Sequence, residues 1–599
     1  MEKNKISLRD IVNSLKQLPK TISILNRVDG KMLKGILILS ILTGVLPIIT
    51  LLISQELLNS LVVAQREFQY SIIILVVYIV VSILADIIMN AATYMQTLYQ
   101  YKLQYRLQYM IMDRCTRLKL RDFEEAETYN RIEKISGEIS YRPFQTFLAV
   151  TSMVSAIVTM TSSVFIILSW SPWMALLLLA VPMASLFYYL RIGQQEFNMV
   201  WNRANEERKL WYLNHLLTHD FSYKEMKVLG TGKYLLNKYR GISKDFVKQN
   251  QNILNQKTFF DIIYGVVIQL ISGVVICFSI VSAFMGQILV GNVISIIRAL
   301  SMVQSNSKGV MTNIYSIYSN SLYMDMLFSF LAETEQAEGA NQKECLEGDI
   351  TDIELRQVSF SYDKCKPVVS NVSLHFTPGK KVAIVGPNGS GKSTLLKMIA
   401  GLYQPDAGEI LINHKNLNRL DIGDYYKKLS VLFQDFVKYE FSLRENIGFG
   451  DYENIDNDLK MQTVLAEVKM DFLKNADGKV NLDMQLGNWF ENGRELSQGQ
   501  WQKIALARAY FKDASCYILD EPNAALDTVS EREVFDKFFS LSQKHIGIYI
   551  SHRLSAARMA DEIVVMNQGE IVDIGTHEVL MERCAVYQEL FEAENYEEA

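Results

Sequence analysis

Long apolar runs fill the first part of the chain, whereas the later part alternates short apolar runs with polar residues. A bilayer core of about 30 Å needs roughly 20 apolar residues in a helix. The last of six candidate stretches is the weakest, because Arg298 and Lys308 interrupt it. The pattern predicts an all-α membrane domain in residues 1–334. Its six predicted spans are residues 35–58, 71–95, 146–169, 173–190, 259–284 and 292–318.

The long apolar runs end near residue 334. Residues 335–350 are polar and charged without apolar periodicity, which predicts a linker. Residues 351–599 alternate short β-rich runs with helical ones, as a parallel α/β sheet does. The sequence therefore predicts a helical membrane domain followed by a separate α/β domain.

Basic residues predict the orientation in the membrane. Lysine and arginine are frequent in residues 1–34 and in the long segments 96–145 and 192–258, whereas residues 285–292 contain neither. Because basic loops stay in the cytosol, we expect the N-terminus, both long segments and the C-terminal half there. Residues 1–34 either lie on the membrane surface as an amphipathic helix or form a solvated basic tail.

Charge and cysteine content narrow the function classes. A formal net charge of −5 and a pI near 6.0 give no reason to expect nucleic acid as a partner. The six cysteines form no CxxC pair, so we expect reduced thiols rather than zinc ligands or disulfides. The first cysteine is Cys115 and the first histidine is His215, both after predicted spans. A cysteine-peptidase domain ahead of the spans is therefore not expected.

The strongest chemical signal is the run VAIVGPNGSGKSTLLKMIAGL. A buried strand at Val382–Val385 precedes a glycine-rich loop, and a helix begins near Lys392. In the motif G-x-x-x-x-G-K-[ST], glycines let backbone N–H groups converge on phosphate oxygens at a helix N-terminus. Lys392 is expected to reach the β- and γ-phosphates of ATP, and the Ser393 hydroxyl to bind Mg²⁺. The expected ATP-binding residues of this segment are Gly386, Pro387, Asn388, Gly389, Ser390, Gly391, Lys392, Ser393 and Thr394.

Two further apolar runs end in candidate catalytic residues. The run SCYILDEP predicts a strand that ends at Asp520 and Glu521. Asp520 lies where a carboxylate that supports Mg²⁺ belongs, and Glu521 lies where a base could polarise the attacking water. His552 ends the run IGIYISH and is placed to contact the γ-phosphate, although alone it would more often be an ordinary strand-end histidine. Together with the glycine-rich loop, these residues predict an ATPase.

A segment just before the Asp520 strand carries a family resemblance. Residues Leu496–Ala509, LSQGQWQKIALARA, resemble the signature sequence of ATP-binding cassette proteins. Tyr362 in VSFSY resembles the aromatic residue that stacks on adenine, and Gln434 in VLFQD resembles the Q-loop glutamine. The resemblance implies that Gln434 is catalytic and a Mg²⁺ ligand, and that Asp527 in AALD is the D-loop aspartate. The ATP contacts that it implies outside the loop are Tyr362, Ser497, Gln498, Gly499, Gln500 and Asp527.

The signature departs from the family at one position. The family usually has LSGGQ, and here Gln498 replaces the first glycine. The contacts to the γ-phosphate are expected from Ser497 and from backbone N–H groups. A side chain at position 498 is therefore tolerated unless the backbone there requires a positive φ.

The resemblance covers essentially the whole chain and implies an architecture. It implies an all-α six-helix membrane domain fused to a cytosolic α/β P-loop ATP-binding cassette domain. In this family two cassettes sandwich ATP, with the phosphate loop of one chain facing the signature of the other. A homodimer with two composite sites is therefore implied. Closure on ATP and reopening after hydrolysis would drive alternating access of the spans.

The resemblance extends to the cargo. The segments SVLFQDFVKYEFSLRENIGFGD and ERKLWYLNHLLTHDFSYKEMKVLG look like the nisin- and subtilin-type lantibiotic exporters of Gram-positive bacteria. This implies export of a modified peptide that still bears its leader across the bacterial cell membrane, and it leaves the docking of peptide-modifying enzymes open. The alternative is a multidrug or lipid exporter of the same fold. Asp86, Asn90 and Gln269 are candidates for the substrate path, and Asp86 is also expected as a structural partner of Arg298.

Overall fold

The computed structural model describes residues 18–62, 68–125, 128, 132, 135, 142–338, 343–363, 366–475, 477–522 and 528–598. The chain divides into two compact units. The first unit contains the residues up to Leu118 and Glu125–Ala337. The second unit contains Lys119–Glu124 and Glu338–Ala599.

Long helices build the first unit. Helix α8 alone has 53 residues, which at 1.5 Å per residue is about 80 Å. Such a helix is much longer than a bilayer core of about 30 Å, so it extends well beyond any membrane that it crosses. In chain order the helices are α1 (Leu18–Val62), α2 (Phe68–Cys115), α4 (Arg142–Trp170), α5 (Pro172–Asn202), α6 (Ala204–Thr218), α7 (Asp220–Val228), α8 (Gly232–Phe284) and α9 (Val290–Glu338).

Among the described residues, four helices are long and apolar enough to cross a membrane, namely α1, α2, α4 and α8. These helices contain four of the six expected spans. The other two, residues 173–190 and 292–318, lie within α5 and α9, which are not among the four. In α9 the polar residues Arg298, Gln304 and Lys308 dilute the apolar run.

Apolar clusters hold the long helices together. One cluster joins Leu25 of α1, Leu103 of α2, Phe147 of α4 and Leu327 of α9. Tyr99 of α2 is fully buried in this cluster, and its hydroxyl donates a hydrogen bond to the Leu25 carbonyl oxygen at 2.9 Å. The buried hydroxyl thus has a partner, which a polar group in an apolar core requires.

The short helix α3 (Leu120–Glu124) belongs to the second unit, although it follows α2 in the chain. Leu120 packs against the apolar cluster around the small sheet of the second unit. The Tyr403 hydroxyl donates a hydrogen bond to the Glu124 carboxylate. Helix α3 therefore covers part of the surface of the α/β domain.

The second unit is an α/β domain. Its strands are β1 (Ile353–Phe360), β2 (Val369–Phe376), β3 (Lys381–Val385), β4 (Ala407–Ile412), β5 (Lys415–Asn416), β6 (Leu429–Leu432), β7 (Cys516–Asp520), β8 (Ile546–Ile550), β9 (Glu562–Asn567) and β10 (Glu570–Gly575). Its further helices are α10 (Lys392–Ile399), α11 (Ile422–Lys428), α12 (Leu443–Gly448), α13 (Asp458–Glu467), α14 (Gln498–Phe511), α15 (Thr528–Ser542), α16 (Leu554–Ala557), α17 (His577–Arg583) and α18 (Ala585–Glu598).

Two sheets organise this unit. A small antiparallel sheet has the order β2–β1–β4–β5, and a larger sheet has the order β10–β9–β3–β8–β7–β6. In the larger sheet β6, β7, β8, β3 and β9 run parallel, and β10 pairs antiparallel with β9. All five residues of β7 and of β8 are buried, as is typical of central parallel strands covered on both faces. The carboxyl ends of the parallel strands therefore meet at one edge, where open α/β sheets bind ligands.

The segment between the units differs in part from the expected linker 335–350. Helix α9 continues to Glu338. Farther along, Leu346 and Ile350 are buried in the apolar cluster around the small sheet. The backbone N–H of Ile350 donates to Ser515 Oγ at 2.9 Å. The last part of this segment is thus packed onto the α/β domain, because its two apolar side chains are buried beside β1.

Candidate nucleotide site

Neighbouring parallel strands end in the residues that the sequence assigns to ATP. The glycine-rich loop follows β3, and His552 follows the adjacent strand β8. Glu521 directly follows β7, and Gln434 lies just beyond the end of β6. Because parallel strands end at the same edge, the order β3–β8–β7–β6 brings together segments that are far apart in the chain.

The loop after β3 requires glycine at two positions for steric reasons. Gly386 has a φ of 153°, and a Cβ there would collide with the Met566 carbonyl oxygen. Gly391 has a φ of 98°, and a Cβ there would lie 2.6 Å from the Val368 carbonyl oxygen. Helix α10 begins directly after Gly391. The missing side chains therefore leave a concave backbone at a helix N-terminus, an arrangement that suits phosphate.

The amine of Lys392 is buried and hydrogen-bonded to its own loop. Its Nζ donates to the carbonyl oxygens of Gly386 at 2.7 Å and Pro387 at 3.0 Å. Burial lowers the pKa of Lys392. In the same loop the Ser390 hydroxyl is buried and has no hydrogen-bond partner among the described residues. A buried cation and an unpaired hydroxyl fit a site that receives phosphate oxygens.

Asp520 ends β7 and is buried beside the loop. Its Oδ1 lies 3.5 Å from the Ser393 Oγ. Burial, reinforced by the charge of Glu521 and opposed by the contact with Ser393, raises the pKa of Asp520 to about 6. A cation would stabilise the ionised form of such a carboxylate. The two oxygens lie close enough together for a small divalent cation such as Mg²⁺ to bind both.

Glu521 has a polar partner on each side. Its Oε2 accepts a hydrogen bond from Gln434 Nε2 at 2.6 Å, and its Oε1 contacts His552 Nε2. Its φ of 50° lies in the left-handed region, which glutamate rarely adopts. The backbone N–H of Glu521 donates to the Ile550 carbonyl oxygen at 3.1 Å, which helps to hold this conformation. The three expected catalytic residues therefore form one contiguous group, and backbone strain of this kind is frequent at active sites.

Gln434 was also expected to be a Mg²⁺ ligand. In the structure its amide instead donates to Glu521, so the oxygen of the same amide faces away from that contact. The Ser393 and Asp520 pair is thus the part of the expected magnesium site that the structure brings together.

Tyr362 lies beside the first turn of α10. Its hydroxyl is 3.1 Å from the Thr394 Oγ1, and its ring is 43% exposed. The rings of Phe360 and Tyr403 pack against it edge to face, with centroids 5.2 and 5.6 Å away. These contacts hold an exposed aromatic ring in one orientation, as stacking on a base requires.

Ser497 caps helix α14 at the signature segment. Its hydroxyl accepts a hydrogen bond from Gln500 N at 3.3 Å, and Gln500 Oε1 accepts one from Ser497 N at 3.0 Å, which forms a capping box. Gln498 is the first residue of α14 and has no positive φ. The side chain in place of the family's glycine therefore causes no backbone strain. Ser497 and Gln498 are exposed, so the first N–H groups of α14, including that of Gly499, are open to an anion.

One buried polar residue of this helix was not among the expected site residues. Gln502 is 3% exposed, and its Nε2 donates to the backbone carbonyl oxygen of Glu521 at 3.3 Å. The signal that could have identified it is an amide on the buried face of an apolar helix, since such groups need partners. Asp527, which the family resemblance suggested, lies outside the described residues.

The polar residues of the expected substrate path give a mixed result. Among the described residues no ion pair joins Asp86 to Arg298, whose Nη1 instead donates to Ser54 Oγ at 3.1 Å. Asp86 is exposed, and its carbonyl oxygen accepts a hydrogen bond from Asn90 Nδ2 at 2.9 Å. Gln269 is exposed as well. The polar residues could be located within the predicted spans from the sequence, but the sequence did not show which faces of the helices pack against each other.

A different carboxylate of the helical unit is surrounded by polar groups. Asp261 lies in α8, inside the expected fifth span, and was not singled out from the sequence. The Tyr189 hydroxyl donates to its Oδ1 at 2.5 Å, and Lys308 Nζ lies 3.6 Å from its Oδ2. Tyr189, Asp261 and Lys308 lie on α5, α8 and α9, so this cluster connects three helices.

Relatives match both units of the chain. A family profile described as ABC transporter matches residues 369–524. The chain is 46% identical over 595 residues to the subtilin transport ATP-binding protein SpaT of Bacillus subtilis, which covers 99% of this chain and 97% of that protein. It is 40% identical over 587 residues to the nisin transport ATP-binding protein NisT of Lactococcus lactis subsp. lactis, which covers 98% of this chain and 97% of that protein.

A solved structure shares the fold. A bacterial Atm1-family ABC exporter with ATP bound superposes with a TM-score of 0.78 and 18% sequence identity, covering 94% of this chain and 99% of that chain. At this identity the likeness concerns the fold. It confirms the expected fold class, a helical membrane-type region followed by an α/β P-loop domain.

Proposed function

The chain belongs to the ABC transporter family, and from that premise we propose that it exports a leader-bearing modified peptide of the lantibiotic type across the bacterial cell membrane as a homodimer. The observation that carries the proposal is the identity of 46% to a subtilin transport protein over nearly the full length of both chains. That alignment includes the helices through which a cargo would pass, and therefore bears on the substrate as well as on the ATPase.

The cassette performs ATP hydrolysis at the edge of its parallel sheet. Lys392 and the N–H groups at the start of α10 bind the phosphates, and Ser393 and Asp520 would hold Mg²⁺. Bound Mg²⁺ would neutralise charge on the β- and γ-phosphate oxygens. Glu521 orients and polarises the attacking water, because its carboxylate is fixed between Gln434 and His552.

Each nucleotide is shared between two chains. The exposed N-terminus of α14, with Ser497 and Gln498, binds the γ-phosphate of the ATP held by the partner chain. The capping box already fixes this helix start in a single chain. Asp527 would contribute from the same interface. Binding then closes two cassettes and hydrolysis reopens them, which drives the two access states of the spans.

Transport occurs without cleavage of the cargo by this chain, with the N-terminus and the cassette in the cytosol. A cysteine peptidase needs a thiolate beside an imidazole. Among the described cysteines, Cys115, Cys277, Cys345, Cys516 and Cys584 are free thiols, and no hydrogen bond joins any of them to a histidine. Burial raises the pKa of Cys516, which makes its thiolate inaccessible.

Export by bacteria that lack a leader protease tests this function. The cells express the chain together with a modified precursor peptide, and mass spectrometry analyses the medium. We expect the full-length precursor, leader included, outside the cells. Its amount should fall at least tenfold with Glu521→Gln, and it should be unchanged with Glu453→Gln, a matched change at an exposed glutamate away from the site.

Three other outcomes would contradict the proposal. Leader-free peptide as the only species in the medium would show that the chain cleaves its cargo. Equal export by Glu521→Gln and wild type would show that hydrolysis at this site does not drive export. Efflux of small hydrophobic drugs or lipids without any peptide in the medium would establish the multidrug or lipid alternative.

A further inference from the structure

A compact group of metal-binding side chains lies on the small antiparallel sheet. The carboxylates of Asp352 and Glu354 and the imidazole of His414 offer ligand atoms that all lie within 4.8 Å of one another. His375 Nε2 contacts Asp352 Oδ1, and His414 Nδ1 lies 3.6 Å from Asp352 Oδ2. Two carboxylates and one imidazole thus form a compact group, and His375 adjoins it through Asp352, in a place that has no part in the nucleotide site.

The strand pairing explains this convergence. Asp352 immediately precedes β1 and Glu354 lies two residues later, so both carboxylates point to the same face of the sheet. His375 of β2 is the direct cross-strand partner of Glu354. His414 belongs to the turn that joins β4 to β5, next to the other side of β1. The register of three strands therefore fixes the four side chains relative to one another.

Asp352 has an unpaired oxygen inside the cluster. The residue is 9% exposed, and its Oδ2 is buried without a hydrogen-bond partner in the described part of the chain. A buried carboxylate oxygen loses its hydration and is unfavourable unless a donor or a cation replaces the water. His414 Nδ1 lies 3.6 Å from this oxygen, a distance that leaves room for an ion bound to both atoms.

The turn that carries His414 is held in a costly conformation. Asn413 and His414 have φ values of 49° and 65°, so the two-residue hairpin loop is left-handed at both positions. Asn-Gly is the favoured pair for such a loop, because glycine adopts this conformation without strain. Here histidine occupies the glycine position. Strain of this kind is retained where the side chain has a use that requires its direction.

The same turn is tied to Asp352. Asn413 Oδ1 accepts hydrogen bonds from the backbone N–H groups of Thr351 at 2.8 Å and Asp352 at 3.1 Å. The Asn413 N–H donates to the Asp352 carbonyl oxygen at 2.9 Å. Hydrogen bonds of Asn413 therefore position both Asp352 and His414, as hydrogen-bond partners behind the ligands orient them in metal sites.

The distance between the His414 nitrogen and the Asp352 oxygen suits a small divalent ion that binds both. Zn²⁺ binds imidazole nitrogen and carboxylate oxygen at about 2.0–2.2 Å, so neighbouring ligands of a tetrahedral site lie about 3.3–3.6 Å apart. The 3.6 Å between His414 Nδ1 and Asp352 Oδ2 is in that range. Glu354 is hydrogen-bonded to Arg356 through both oxygens, and this contact lowers the pKa of Glu354. Each oxygen retains a second lone pair for a metal.

We propose that Asp352, Glu354 and His414, with His375 as the fourth ligand, bind a divalent transition-metal ion of the Zn²⁺ type. The ion links β1, β2 and the β4–β5 turn. It is structural, because a site with four protein ligands leaves no open position for a water or a substrate. Strand β1 ends at Phe360, two residues before Tyr362, whose ring is the candidate for stacking on adenine. The ion therefore stabilises the strand that leads to this ring.

Zinc titration of the full-length, nucleotide-free chain tests the site after metals have been removed with a chelator. Calorimetry should show one Zn²⁺ bound per chain, and the unfolding temperature should rise with the ion. His414→Asn is the first variant, because asparagine tolerates the left-handed turn and removes only the imidazole. His375→Gln is the second. Each should weaken Zn²⁺ binding at least tenfold and remove the thermal shift, while ATPase activity with Mg²⁺ and ATP stays at the wild-type level.

The chain offers a matched control. His215 and His219 lie four residues apart on the helical unit, with ring centroids 4.0 Å apart, and could take up an adventitious ion. The double variant His215→Gln/His219→Gln should retain the Zn²⁺ affinity of the wild type. Asp520→Asn should do so as well, which excludes binding in the nucleotide site. The proposal is overturned if the wild type binds no Zn²⁺, if His414→Asn and His375→Gln bind it as tightly as the wild type, or if a control variant loses it.

Discussion

Two carboxylates of this chain have similar surroundings but were not equally visible in the sequence. Glu521 of the cassette contacts Gln434 and His552, and Asp261 of the helical unit contacts Tyr189 and Lys308. Glu521 lies between an amide and an imidazole, and Asp261 lies between a phenol hydroxyl and an ammonium group. Glu521 follows a strand, and its partners follow strands of the same sheet. Asp261 lies within a helix, and its partners lie on two other helices.

The difference shows what each kind of scaffold specifies. A parallel sheet collects the ends of its strands at one edge, so a motif at a strand end already indicates which groups meet. A helix presents side chains all round its axis. Which of them face each other depends on the rotation and tilt of every helix, and these are set by packing over the whole unit. The sequence therefore identified Glu521 but not Asp261.

The largest expected effect is the loss of ATPase activity on substitution of Glu521, compared with the matched substitution of Asp261. Glu521→Gln should lower the ATPase turnover number by roughly 10²–10⁴-fold, because the amide keeps the shape but loses the basic carboxylate. ATP binding should persist and hold the dimer closed. Steady-state hydrolysis and nucleotide titration measure the two effects. The matched change Asp261→Asn should alter basal hydrolysis by less than about threefold. Turnover of Glu521→Gln close to that of the wild type would remove Glu521 from its role.

A second effect concerns the phosphates. Lys392→Ala should weaken ATP binding by about tenfold or more, because it removes a buried cation that is poised at the loop. Mixing Lys392→Ala chains with Ser497→Ala chains should restore part of the ATPase activity that each variant lacks alone. Such heterodimers retain one intact composite site. If the mixture is no more active than its parts, crosslinking across the interface will show whether the sites fail to form or whether one site is insufficient.

A third prediction compares the loss of stability on substitution of two glycines in the same loop. Gly391→Ala should destabilise the cassette by about 2–3 kcal/mol, since the new Cβ meets the Val368 carbonyl oxygen at 2.6 Å in addition to the strain of a positive φ. Gly389→Ala has nothing within 4 Å of the new Cβ and should cost about 1 kcal/mol from backbone strain alone. Chemical unfolding of the two variants measures the difference. A reversed order would show that the loop changes conformation in the full dimer.

The smallest effect is expected at the departure from the family signature. Gln498→Gly restores the usual residue at the first position of α14, where the backbone is already helical and unstrained. ATPase activity should change by less than about twofold, because the capping box of Ser497 and Gln500 is untouched. A gain of tenfold would instead indicate that the glutamine side chain obstructs the approach of the partner's nucleotide.

The grouping of the candidate nucleotide-site residues was thus largely predictable, and the reasons for the exceptions are physical. Lys392, Asp520 and Glu521 belong to motifs in which neighbours along the chain supply the geometry. Gln502 escaped notice because its partner is a backbone carbonyl oxygen, which no residue identity reveals. The proposed metal site was not predicted from the sequence, because Asp352 and His414 come from segments that only the strand register brings together.

The fold was predictable to a similar degree. Helical periodicity and apolar length indicated the long helices, and alternation of short runs indicated the α/β domain. The grouping of α3 with the α/β domain was not predictable, because nothing in LRDFE distinguishes a helix that packs on a distant domain from a surface turn. Only the contacts of Leu120 and Tyr403 reveal it.

That short helix also affects how the cassette behaves when it is produced alone. A recombinant fragment that begins after the long helices lacks Leu120 and Glu124. Its solvent-facing surface then gains the apolar patch that Leu120 covers and a tyrosine hydroxyl, that of Tyr403, without its acceptor. Exposed apolar patches promote self-association. We therefore expect a cassette fragment that retains α3 to associate with itself less than a fragment that begins after it.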